Sequence, residues 1–173
     1  MKPRPRLTIL GATVAVSALA ACSSITSVDG LLVSDSAEYG ASGAVCGPPD
    51  KDGIASFAIE GVRNVTAHDL TVTAVHFEGS HVEVLDWFLK PMSWEAEGGV
   101  RGGRFPGETA PGPTTIGGGQ TQLVAMTLKV DGAPPLAAMP ISVTYQSFEG
   151  TGAVQLAFRV EVPAPGRRCV SPE

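Results

Sequence analysis

Basic residues are few. The chain of 173 residues carries 12 Lys and Arg against 17 Asp and Glu, a formal net charge of −5. Such a balance argues against nucleic acid as a partner and against a basic patch for anionic lipid. Catalytic signatures are missing as well. Gly40-Ala41-Ser42-Gly43 does not complete a G-x-S-x-G elbow, and no H-E-x-x-H occurs. Gly98-Gly99 and Gly117-Gly118-Gly119 do not open helices after strands, so they offer no phosphate cradle. The carboxylates are scattered, with no pair standing out for glycoside chemistry. The expectation is a protein that is not an enzyme and uses no cofactor. A spanning helix is absent too: the one long apolar stretch, Leu7 to Ala21, has fifteen residues where a bilayer needs about 20.

What that stretch has is the layout of an export signal. Lys2, Arg4 and Arg6 precede it, no acidic residue occurs before Asp29, and it ends in Leu19-Ala20-Ala21-Cys22. An aliphatic residue, two small residues and a cysteine resemble the lipobox of bacterial lipoproteins. That resemblance, confined to residues 1–22, implies cleavage before Cys22 and a diacylglyceryl group on its thiol. Two acyl chains hold a protein stably on a bilayer where one is marginal. The alternative is an ordinary signal cut before an incidental cysteine. The expected partners are the membrane, through the anchor, and another envelope protein. The place is the outer face of the cell membrane or the periplasm. Cleavage leaves nine basic against seventeen acidic residues, a mature charge of −8.

Of the three cysteines, Cys46 and Cys169 remain, an even pair in an oxidising compartment. They are expected to be bonded. Two buried thiols or a metal pair are the alternatives, and no third ligand stands nearby in sequence.

The domain limits read as a signal over 1–21, a lipidated cysteine and tether over 22–44, and a folded domain over 45–173. Within the tether, Ile25, Val28, Leu31, Leu32 and Val33 suggest either a short docked strand or contact with the membrane surface. Asp50-Lys51-Asp52-Gly53 is turn chemistry without the later ligands of a calcium loop. Strands are expected at Ile54–Val62, Leu70–Phe77, His81–Leu89, Gln120–Val130, Ile141–Ser147 and Ala153–Val162. In the second, Leu70, Val72 and Ala74 share one face and Thr71, Thr73, Val75 and Phe77 the other. Glu78-Gly79-Ser80 looks like a hairpin loop. The fold class expected is all-β, an antiparallel β-sandwich of immunoglobulin-like type, without the Cys–Trp–Cys core of true immunoglobulin domains.

Two candidate sites emerge. The glycine- and proline-rich segment 90–119 with its flanking aromatics breaks the alternation, and Trp87, Trp94 and Phe105 are candidate binding anchors. Alternatively they plug one end of the sandwich. His76, His81 and Met92 are a candidate copper set if a hairpin brings them together. Small periplasmic copper chaperones are also β-sandwiches, but their His/Met pattern is not matched here.

Overall fold

The computed structural model describes residues 29–78, 81–92, 99–105, 113–131, 136–163 and 169; Cys22 and Trp94 lie outside the described residues. In chain order the elements are β1 (Leu32–Ser34), a single helical turn α1 (Asp35–Glu38), β2 (Gly43–Cys46), β3 (Ile54–Asn64), β4 (Leu70–Phe77), β5 (Val82–Pro91), β6 (Gly99–Gly102), β7 (Thr114–Ile116), β8 (Thr121–Val130), β9 (Leu136–Met139), β10 (Ile141–Gln146), β11 (Thr151–Gln155) and β12 (Phe158–Val162).

One sheet has the order β1-β3-β8-β5, with β6 also on β3. A second runs β11-β10-β4-β7 and a third β2-β12-β9. β3 is long enough to hold two partners along one edge: Ala55–Ala58 pair with β6, and Val62–Asn64 with β1. Pairing is antiparallel except between β2 and β12. Phe57, Val62, Val124 and Met126 of the first sheet meet Val72, Ile141, Val143 and Tyr145 of the second in one core, which Val160 and Val162 join from the third. Each such side chain taken out of water stabilises by about 1.5–3 kcal/mol. The result is an immunoglobulin-like antiparallel β-sandwich.

Alternation of side chains explains the buried faces only when three bulges are included. In each of β3, β4 and β5 one extra residue opposes the partner strand: Ile59, Thr73 and Leu85. Because the side-chain period is two, one inserted residue moves everything beyond it to the other face. In β4 the inward set is therefore Leu70 and Val72, then Val75 and Phe77, not the Leu70-Val72-Ala74 row that simple alternation predicts. In β5, Val82 and Val84 face the core, and past Leu85 so do Trp87 and Leu89. In β3 the bulge turns Glu60 onto the same face as Val124.

Several expected connections differ. β4 and β5 are not hairpin partners: β4 belongs to the second sheet and β5 to the first, and Gly79 and Ser80 of the expected loop lie outside the described residues. His81 is the turn residue before β5. It has φ 75°, a conformation that histidine tolerates better than branched residues, and its carbonyl accepts from Asp131 N. The single strand expected over Ala153–Val162 is two. β11 ends at Gln155, the chain switches sheets at Leu156-Ala157, and β12 continues in the third. The segment 90–119 contains β6 and β7. The expected tether of 22–44 holds β1, whose Leu32 is 1% exposed, and the start of β2.

Cys46 and Cys169 are bonded, with Cα atoms 5.6 Å apart. Gly47 follows at once because nothing larger fits. A Cβ there would lie 2.3 Å from Val100 Cγ1 and 2.6 Å from the ring of Phe57.

Candidate functional site

Two strands end their sheets side by side, and the space between them is a cleft. β1 is the terminal strand of the first sheet and β11 of the second. In an antiparallel ladder, bonded pairs alternate. The bond from Leu156 N to Ile141 O, 2.9 Å, sets the phase in β11. Gly152 and Val154 are then bonded to β10, and Thr151, Ala153 and Gln155 turn their backbone groups to the open edge. On β1 the bond from Val65 N to Leu31 O, 3.0 Å, sets the phase likewise, so Leu32 and Ser34 face outward.

The cleft between these edges measures about 520 Å³. Leu32, Val33, Val65 and Val154 supply an apolar lining, and Arg63 and Glu38 a charged wall. Arg63 Nε donates to Glu38 Oε2 at 3.0 Å, and Nη2 donates to Oε1, so the pair is a fork on a carboxylate. Glu38 holds the guanidinium above its ordinary pKa, first through this hydrogen bond. The arrangement suits an extended peptide. Open strand edges can offer main-chain bonds to such a segment, and an apolar wall can take its alternate side chains.

One end of the cleft is fixed by Glu60. This carboxylate is 1% exposed. Its Oε1 accepts from Ala157 N at 3.1 Å and from Ser34 Oγ, and its Oε2 accepts from Phe158 N at 2.9 Å. Ser34 is also the N-cap of α1, its Oγ accepting from Ala37 N at 3.2 Å. One side chain thus ties β1, α1, the bulge of β3 and the sheet-switching corner together. The sequence signal for it is a lone acid inside the apolar run of β3, which marks a buried group with built-in donors.

Of the aromatic candidates, Trp87 and Phe105 are placed on opposite faces of the first sheet; Trp94 lies outside the described residues. Trp87 packs against the main core from the inner face of β5. Phe105 lies on the outer face of the first sheet, edge to face with Phe88 at 6.0 Å and over Ala58, Leu123 and Ala125. Lys90 Nζ lies 5.2 Å from the Phe88 centroid and 5.5 Å from that of Phe105. Asp86 and Arg104 pair across the same face. Phe105, just after β6, thus lies over the outer face of this sheet. Of the metal candidates, His81 and Met92 bracket β5, and a ten-residue strand separates them by about 30 Å or more. His76 is exposed on β4, in the other sheet. Among the described residues no group of three His, Cys, Asp or Glu could hold a metal ion. The copper set is therefore not assembled.

The site so defined belongs to an immunoglobulin-like sandwich with an open edge cleft. No known protein family matches the sequence, and no curated protein does. Among solved structures, the ASH/PapD-like domain of human CEP192 (PapD-like domain 7) aligns over 95% of this chain and 100% of its own, with 12% identity and a TM-score of 0.41. The Vibrio cholerae VesB protease aligns over 71% of this chain at 13% identity and a TM-score of 0.35, and this chain spans 31% of it.

Proposed function

We propose that this is a lipid-anchored protein of the cell envelope, cut before Cys22, whose domain is a non-enzymatic binding module. Its ligand is an extended segment of another envelope protein, taken into the cleft between β1 and β11. The observation that carries the binding reading is the pair of open strand edges flanking an apolar cleft of about 520 Å³. The Leu19-Ala20-Ala21-Cys22 junction supports the anchor and the extracytoplasmic location. The disulfide fits an oxidising compartment.

Two measurements test it. Cys22→Ser should abolish incorporation of labelled fatty acid and leave unprocessed precursor; normal processing and membrane retention would remove the anchor reading. A photoreactive residue at Gln155, on the open edge, should crosslink in cells to a defined envelope protein, identified by mass spectrometry. The same residue at Lys51, in the turn before β3, should not. Equal capture from both positions would remove the cleft as the binding site.

A further inference from the structure

The end of the sandwich where the chain comes in carries exposed apolar side chains on a stiff frame. Phe148 is 76% exposed at the tip of the β10–β11 hairpin, and Val65 is 44% exposed just past β3. Val65 N bonds Leu31 O, so Val65 lies beside the incoming chain. Phe148 stands edge to face with His68, ring centroids 5.3 Å apart, which places the hairpin tip against the β3–β4 turn.

Neither residue sits on a loose loop. The tip is braced by Ser147, whose N donates to Gly150 O at 2.8 Å and whose Oγ accepts from Glu149 N at 3.1 Å. The β3–β4 turn is built around Asn64, which is fully buried; its Nδ2 donates to His68 O at 2.7 Å and to Ile116 O at 3.0 Å. Phe148 and Val65 are thus exposed apolar side chains carried on braced turns at one end of the sandwich.

Where the outside chain attaches says what it meets. Gly30 lines the cleft beside Val65 and lies eight residues after Cys22. Eight residues span at most about 28 Å when extended. An anchor at Cys22 therefore keeps this end within one domain's width of the bilayer. Tethering also removes most of the association cost, so one or two apolar side chains suffice to orient the domain where they would not recruit it.

Resting on the anchor reading above, we infer that the end bearing Phe148 and Val65 docks on the membrane surface, with Phe148 entering the interfacial region. Charge fixes the kind of lipid. Asp29, Asp69 and Glu149 are exposed around this end, so docking is apolar and is opposed by anionic headgroups. The cleft mouth at Gly30 then opens close to the bilayer, and the opposite end, with Asp50–Gly53, faces away.

The test uses the full lipidated chain in phosphatidylcholine vesicles with either plain or brominated acyl chains. Phe148→Trp places a fluorescent reporter at the tip; Lys51→Trp places one at the far end. Flotation establishes anchoring first. The expected result is that the emission added by Phe148→Trp falls at least twofold in brominated vesicles, and recovers when a third of the lipid is phosphatidylglycerol. The emission added by Lys51→Trp is unchanged throughout. If the chain floats and the Phe148→Trp emission is no more quenched than that of Lys51→Trp, docking by this end is overturned. If the chain does not float, the anchor reading fails and the docking inference falls with it. Circular dichroism melting of both variants, each at an exposed position, verifies that the fold is intact.

Discussion

Glu60 and Phe158, ninety-eight residues apart, are joined by a hydrogen bond of 2.9 Å from the Phe158 N–H to Glu60 Oε2. With Ala157 N and Ser34 Oγ on the other oxygen, the carboxylate is fully engaged in a site closed to water. Each buried donor left without a partner costs about 1–3 kcal/mol. Glu60→Ala should therefore lower stability by ~3 kcal/mol or more. Glu60→Gln should cost ~2 kcal/mol, because its amide presents N–H to a backbone N–H. Urea midpoints measure both. An unchanged midpoint for Glu60→Ala would mean that the corner is held by packing alone.

The Cys46–Cys169 bond closes a separation of 123 residues. On the chain-entropy treatment such a loop is worth about 5 kcal/mol, with strain and residual structure reducing it. The Cys46→Ser, Cys169→Ser double variant should unfold at clearly lower urea. Reductant should shift the parent to the same midpoint and leave the variant unmoved.

Gly47→Ala should destabilise by ~1–3 kcal/mol, the usual cost of forcing an extra methyl into a filled site. The clash is with Val100 and with the Phe57 ring, which is buried at 0% exposure and cannot yield. Val100→Ala made on top of Gly47→Ala should cost less than Val100→Ala alone, since it vacates the space. Thermal melting of the four-protein cycle reads this coupling; strict additivity would contradict the geometry.

Trp87 and Phe105 should separate in effect. Trp87 packs on the main core, so Trp87→Ala should cost ~3 kcal/mol. Phe105 covers a small outer cluster and pairs with Phe88, so Phe105→Ala should cost only ~1 kcal/mol. Comparable losses at the two positions would show that the outer face is as fully packed as the core.

The strand positions were legible because β-branched and aromatic residues cluster between turn residues. The faces were not, and the reason is the bulges. Nothing in Ala74-Val75-His76 announces that Thr73 is an extra residue, since a bulge is set by how two strands pair and not by the local sequence. The sheet switch at Leu156-Ala157 hid for the opposite reason: Val154, Leu156, Phe158, Val160 and Val162 alternate without a break across it. The corner is dictated by Glu60, nearly a hundred residues earlier. β6 escaped notice because Gly99–Gly102 has little strand propensity and is held by pairing with β3 and by Val100 against the core.

The cleft was legible only in its parts. Leu32 and Val33 stood out as apolar residues in a polar stretch, and a docked strand was one of the two readings open for them. Arg63 and Glu38 read as ordinary surface charges, because a fork between a strand and a helical turn depends on tertiary placement. Trp87 and Phe105 drew attention by type, and the structure sets Trp87, half-buried, against the main core.

The disulfide also sets how the domain answers to tension. A pull applied on the N-terminal side of Asp29 loads β1 first, which is held to β3 over only three residue pairs. Peeling can then proceed through α1 and β2, but it stops at Cys46, where the covalent bridge passes the load to Cys169 and bypasses everything between. The seventeen residue-to-residue steps from Asp29 to Cys46 span at most about 60 Å when extended. The sandwich proper is shielded, so the N-terminal strand acts as a short mechanical fuse in front of a fixed stop.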